Sequence, residues 1–313
     1  MSTSAGDSDP EVLLAERLTG AVHVAGEFRT GVAFETLVDL LPEYGPSTVE
    51  DLTGWIQAHP SRSRVSEGRV LTPEVSDWDL DPRRRERAEE YYRAAGALFQ
   101  SDLKATRPWL CFLGVTGSTA YGDPRDGDDC DLMTVVRPGA VWLFVAYVFL
   151  RLRLRRMTAP GVGEPEWCFN YTLDEPAAIR EFSRPRGFLF AREALVTRPV
   201  HGEAYYRGLL RRGDWLRREA PRLYARWEST ALPEPTEPRP ATRGVRCLNA
   251  VLFPVVAAYL QLKGLRANYR LRRSGREGES FRTITRLDRM ALATRKFERL
   301  SDRMRPASRL TPE

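Results

Sequence analysis

Only three histidines occur in 313 residues, His23, His59 and His201, and they stand far apart. An imidazole-built zinc site or a Ser–His nucleophile therefore has little to draw on. The four cysteines, at 111, 130, 168 and 247, form no C-x-x-C pair. That spacing argues against a zinc ribbon and a disulfide framework, and a reducing cytoplasm is the expected compartment. Cys111, Cys130 and Cys168 each fall in a stretch that reads as a strand, so they are expected to be buried free thiols. The opening MSTSAGDSDP has neither a basic start nor an apolar run, so no secretory leader is expected. Long apolar runs are also missing. AVWLFVAYVFL (140–150) is eleven residues, and CLNAVLFPVVAAYLQL (247–262) is interrupted by Asn249, Pro254 and Gln261. Both are short for a bilayer, so packed core helices and no membrane contact are expected. Lysine is scarce, at 104, 263 and 296 only, so arginine serves as the general surface cation.

The composition, 42% hydrophobic and 29% charged, suits two or three soluble domains with proper cores. The net charge of +6 is unevenly spread. Residues 241–313 hold 17 Lys and Arg against six Asp and Glu, whereas the other 240 residues hold 31 against 36. A basic C-terminal part can attract a phosphate backbone or a nucleotide.

Residues 112–136, FLGVTGSTAYGDPRDGDDCDLMTVV, carry the most chemistry. An apolar strand breaks at Gly117-Ser118. Ten residues further on, Asp129 and Asp131 stand two apart at the head of a second apolar strand. Residues i and i+2 of a strand share a face, so both carboxylates converge, and they repel unless a cation lies between them. Oxygen ligands suit Mg²⁺ or Mn²⁺, which commonly also bind substrate phosphates. The Gly-Ser turn offers free backbone N–H groups to such a phosphate. A calcium loop is a poor alternative, because DPRDGDDCDL lacks the Glu of an EF-hand's twelfth position.

Gly117-Ser118, the ten-residue spacer and Asp129-Cys130-Asp131-Leu132 resemble the signature of the DNA polymerase β nucleotidyltransferase superfamily. The likeness is close over residues 109–137 and looser at RPGAVWL and CFNYTLDE, which look like a group of bacterial and archaeal nucleotidyltransferases. The resemblance implies two metals held by Asp129 and Asp131, with Gly117 and Ser118 binding an NTP. It implies transfer of a nucleoside monophosphate to an acceptor hydroxyl or phosphate on a small molecule, RNA or protein. It also implies a third acid on a later strand, where Asn170 stands instead, with Glu166 and Asp174 four residues to either side. Asn is neutral and offers only a carbonyl oxygen. A catalytically weak, NTP-binding regulatory module, with nucleic acid as a further partner, is therefore the alternative. Arg125 is placed to reach a phosphate, and Tyr121 either stacks on a base or packs under the turn.

The expected fold class is α/β: a nucleotidyltransferase core with a mixed sheet, a small winged-helix-like N-terminal domain and a C-terminal helical region. A tail covers 1–9. Residues 10–75 form the first domain, with helices over 11–18, 31–41 and 48–59 and a hairpin around Glu67-Gly68. Its third helix has Glu50 and Asp51 and no basic residue, which suits protein contact better than DNA. A charged lead-in helix (80–105) and the core fill 80–176, a helical extension 177–231, a Pro-rich linker 232–240 and a basic helical segment 241–313.

Overall fold

The structure, a computed structural model, describes residues 10–27, 30–59, 63–66, 68–72, 81–158, 164–228 and 240–303. The expected tail, Glu67 of the hairpin and most of the Pro-rich linker lie outside the described residues. In chain order the elements begin with α1 (Pro10–Glu27), β1 (Val32–Ala33), α2 (Phe34–Leu40), α3 (Val49–Ala58), β2 (Arg64–Ser66) and β3 (Arg69–Leu71). Next come α4 (Arg84–Ser101), β4 (Leu110–Val115), α5 (Gly117–Ala120), β5 (Cys130–Val136), α6 (Val141–Thr158), β6 (Trp167–Asp174), α7 (Glu175–Ser183), α8 (Phe188–Val196), β7 (Arg198–His201) and α9 (Glu203–Arg211). They end with α10 (Asp214–Glu219), α11 (Pro221–Glu228), α12 (Arg243–Arg273), β8 (Phe281–Arg286), β9 (Arg289–Thr294) and α13 (Arg295–Arg303). The architecture is mixed α/β with a mixed sheet, and it divides into two compact units.

The first unit takes the chain up to Pro82 together with Trp215–Thr230. Its sheet is antiparallel in the order β1-β3-β2, with Val70 of β3 opposite both Val32 and Val65. Leu18, Leu37, Leu40, Leu52 and Leu71 are fully buried. Two local details differ from the sequence reading. Val32 and Ala33 pair with β3, so the helix expected from residue 31 starts only at Phe34. The spacing of Ser47 and Glu50 suits a capping box at Ser47, but the box of α3 is one residue later: Thr48 accepts from the Asp51 N–H, and the Asp51 carboxylate accepts from the Thr48 N–H. The far-off segment 215–230 is tied in by Arg222. Its guanidinium donates to the carbonyls of Val38, Glu43, Gly45 and Pro46, satisfying acceptors left over at and beyond the end of α2.

The second unit is built on a six-stranded sheet in the order β7-β4-β5-β6-β9-β8. Among the described residues only β5 and β6 run parallel, joined through α6 as a βαβ crossover. Leu113, Val115, Leu132, Trp142 and Phe144 form its fully buried centre. Strands β4 and β5 are apolar nearly throughout because both faces are covered. The C-terminal segment, expected to be helical, contributes the β8–β9 hairpin, and β9 pairs with β6 (Tyr171↔Ala291). The β-branched, alternating FRTITR run favours the pleat over a helix. Likewise Arg198–His201, read as part of a helical extension, is the edge strand β7. A third difference concerns α12. The helix expected to be packed core leaves Leu248, Val251, Val255, Tyr259, Leu262, Leu265 and Tyr269 exposed.

Candidate functional site

Strands β4, β5 and β6 bring the sequence-predicted residues to one end of the sheet. The Thr116 N–H donates to the Asp131 carbonyl at 2.9 Å, which fixes the start of the Gly-Ser turn beside the Asp129–Asp131 segment. Asp131 faces Cys168 in register on the parallel neighbour, and the register then slips between Asp131 and Met133. That irregularity lets Asn170 also reach Asp131: its Nδ2 donates to Oδ1 at 2.6 Å. The ligand atoms of Asp129, Asp131 and Cys168 all lie within 4.8 Å of one another.

Gly117 is required here by geometry. Its φ is +62°, and a Cβ would stand 2.5 Å from Asp131 Oδ2. The Glu193 carboxylate from α8 lies near the Gly117 backbone, and burial holds it above its ordinary range. The Ser118 hydroxyl is left as the turn's side-chain donor. The Arg192 guanidinium lies 4.1 Å over the Tyr121 ring, whose buried hydroxyl has no hydrogen-bond partner among the described residues. Of the two roles weighed for Tyr121, packing under the turn is the one seen here. Arg125 stays in the spacer, its backbone N–H held by Asp128 at 2.8 Å, with one buried guanidinium nitrogen lacking a partner.

The electrostatics follow from this crowding. Burial first, then the Asp129 charge and then Glu193, hold the Asp131 carboxyl well above its ordinary range. Asp129 is exposed as a residue, but its carboxylate turns in towards the Cys168 thiol. Desolvation there outweighs that hydrogen bond and raises it too. Burial, then Asp131 and Asp129, push the Cys168 thiol far up, so without an ion it stays a neutral donor to both carboxylates. A divalent cation reverses the repulsion that all three report.

The two flanking acids of β6 do not complete the set. Asp174 stands four residues beyond Asn170, opposite Val136, and accepts from the Ala177 N–H at 2.9 Å as the N-cap of α7. Glu166 pairs with Arg156 at 2.9 Å in the open. Cys168 and Glu193 were not foreseen as site residues. Cys168 had a usable signal, since it stands two before Asn170 on the same strand. Glu193 had none beyond an acid inside an apolar helix.

Asn170→Asp would add a carboxylate where Asn170 now donates to Asp131. In chelator it should lower the melting temperature by several degrees, since a favourable bond becomes a repulsion. With Mn²⁺ the gain in melting temperature should exceed that of the wild type. An unchanged metal response would mean that Asn170 does not face the ion. No family model, curated protein or solved structure matches the chain, so the site is interpreted from its own chemistry.

Proposed function

We propose that the second unit is a metal-dependent nucleotidyltransferase of the DNA polymerase β type, moving a nucleoside monophosphate from an NTP to an acceptor hydroxyl or phosphate. One observation carries the reading: Asp129 and Asp131 converge within 4.8 Å beside a left-handed glycine turn that ends in Ser118. Mutually repelling carboxylates at a sheet end have little structural reason to exist without a cation. Asp129 and Asp131 fit Mg²⁺ or Mn²⁺ as ligands, and the neighbouring thiol tilts the preference towards the softer Mn²⁺. Such an ion neutralises charge on the transferring phosphoryl group and favours ionisation of the attacking hydroxyl.

The chain's own residues have separable tasks. Asn170 orients Asp131 by its hydrogen bond at 2.6 Å. Glu193 lies near the Gly117 backbone and adds to the negative charge around Asp131 that a cation would offset. Ser118 binds the outgoing phosphates. The missing third acid favours a second reading, an NTP-binding regulatory module with weak turnover. The order α1-β1-α2-α3-β2-β3 and the sheet order β1-β3-β2 support a winged-helix-like first unit. Because α3 carries Glu50 and Asp51 and no basic residue, that unit suits a protein partner better than DNA.

The test is incubation with each α-labelled NTP and Mg²⁺ or Mn²⁺, alone and with cell extract. Label transferred by the wild type and lost in Asp129→Asn is expected, and the size of the product identifies the acceptor class. NTP binding without transfer under any of these conditions selects the regulatory reading.

A further inference from the structure

Among the described residues, α12 has two faces of different purpose. One face is anchored to the rest of its unit. Asn249 Oδ1 accepts from the Trp142 and Leu143 N–H groups at 2.7 and 3.3 Å. Gln261 donates to the Thr283 carbonyl and the Thr285 hydroxyl, both at 3.0 Å. Asn268 makes a pair of bonds with the Phe281 backbone at 2.7 and 3.0 Å. Ala257 and Leu260 join the core. The opposite face is apolar and bare. Val251, Val255 and Leu265 are 66%, 67% and 65% exposed, and Leu248, Tyr259, Leu262 and Tyr269 continue the same stripe. Leu248, Val251, Val255, Leu262, Leu265 and Tyr269 recur at the spacing of an a/d seam and Tyr259 widens it, so charge must decide between a second helix and another occupant.

Charge selects the occupant. No acidic residue occurs anywhere in α12, nor in α6, which packs on it. Arg243 and Arg246 stand at one end of the uncharged stretch 247–262, and Lys263, Arg266, Arg270, Arg272 and Arg273 at the other. At the second end an open hollow of about 860 Å³ is lined by Leu265 and Tyr269 with Arg266, Arg270 and Arg273. A second copy would oppose arginine to arginine in either orientation. An anionic lipid surface meets both the apolar stripe and the basic ends. A helix tied along its inner face from residue 249 to 268 cannot cross a bilayer without drawing β8 in with it, so it lies in the interface plane. We infer that the outward face of α12 docks on an anionic phospholipid surface, making this a peripheral membrane protein.

The test is flotation of the full chain with phosphatidylcholine vesicles and with phosphatidylcholine–phosphatidylglycerol vesicles, alongside sedimentation velocity without lipid. The wild type should float with the anionic vesicles at least tenfold more than with the neutral ones and should sediment as a monomer. Val255→Glu/Leu262→Glu changes only exposed side chains, so it should keep the wild-type circular dichroism and lose flotation. Arg270→Glu/Arg273→Glu should lose the preference for anionic lipid. The inference is overturned if the wild type does not float, or if Val255→Glu/Leu262→Glu floats as well as it does. It is also overturned if the wild type is a dimer that this variant dissociates, which would assign the face to a second copy.

Discussion

Asp131→Asn should abolish nucleotidyl transfer and, in chelator, raise the melting temperature. The first effect follows from position. Asp131 is one of two carboxylates that converge at the sheet end, and the one that Asn170 orients. Its loss removes charge from the metal site, and a fall of about 10³-fold or more is expected. The second effect follows from the cost of holding that charge. Burial and the Asp129 charge keep the Asp131 carboxyl well above its ordinary range, so the ionised form is disfavoured in the folded protein. The folded state therefore holds a proton that the unfolded chain releases near pH 4. Metal-free stability from this group is present below that point and falls as pH rises through the folded value. The variant lacks that slope. Its advantage should widen from about pH 4 upward until Asp131 has ionised, reaching about 1–2 kcal/mol. Added Mn²⁺ should stabilise the wild type and leave the variant nearly unmoved. A variant with full activity, or one no more stable than the wild type in chelator at neutral pH, would contradict this account.

The sequence made the site's core legible because its geometry is local. Asp129 and Asp131 are two apart on one strand, and the Gly-Ser break immediately follows its hairpin partner. Period-two alternation and a left-handed glycine can be read without knowing the fold. What lay beyond reach depends on long-range register. Asn170 reaches Asp131 only because β6 slips against β5, and regular pairing gives no warning of that slip. Glu193 arrives from a helix 62 positions after Asp131, and no short-range pattern connects the two. The same division holds for the fold. Helices with a clear apolar period were visible, whereas β7 and the β8–β9 hairpin are short, arginine-bearing strands. Their pairing with the sheet outweighs local preference. For α12, apolar composition alone signals burial. The polar residues that interrupt it, Asn249 and Gln261, in fact mark the face turned inward, where backbone groups need partners.

Gly117→Ala should cost both stability and transfer, because the added methyl group falls on the site itself. Two penalties coincide there. At φ +62° a side chain costs roughly 1 kcal/mol in any surroundings. The added Cβ would also stand 2.5 Å from Asp131 Oδ2 and 3.3 Å from its Cβ and Cγ, so either the turn or the carboxylate must move. Moving the turn disturbs the bond from the Thr116 N–H to the Asp131 carbonyl, and moving the Asp131 side chain breaks the bond from Asn170. A total of about 2–3 kcal/mol and a fall in transfer of about 100-fold are expected. Gly122→Ala separates the two penalties. Gly122 has a similar φ of +75° but nothing within 4 Å of its Cβ position, so it should show the backbone cost while keeping transfer. If Gly122→Ala and Gly117→Ala lose activity alike, backbone strain alone governs the turn. If only Gly117→Ala does, the contact with Asp131 is responsible. The stability cost of Gly117→Ala should then shrink in an Asp131→Ala background, where the carboxylate that the methyl group displaces is gone.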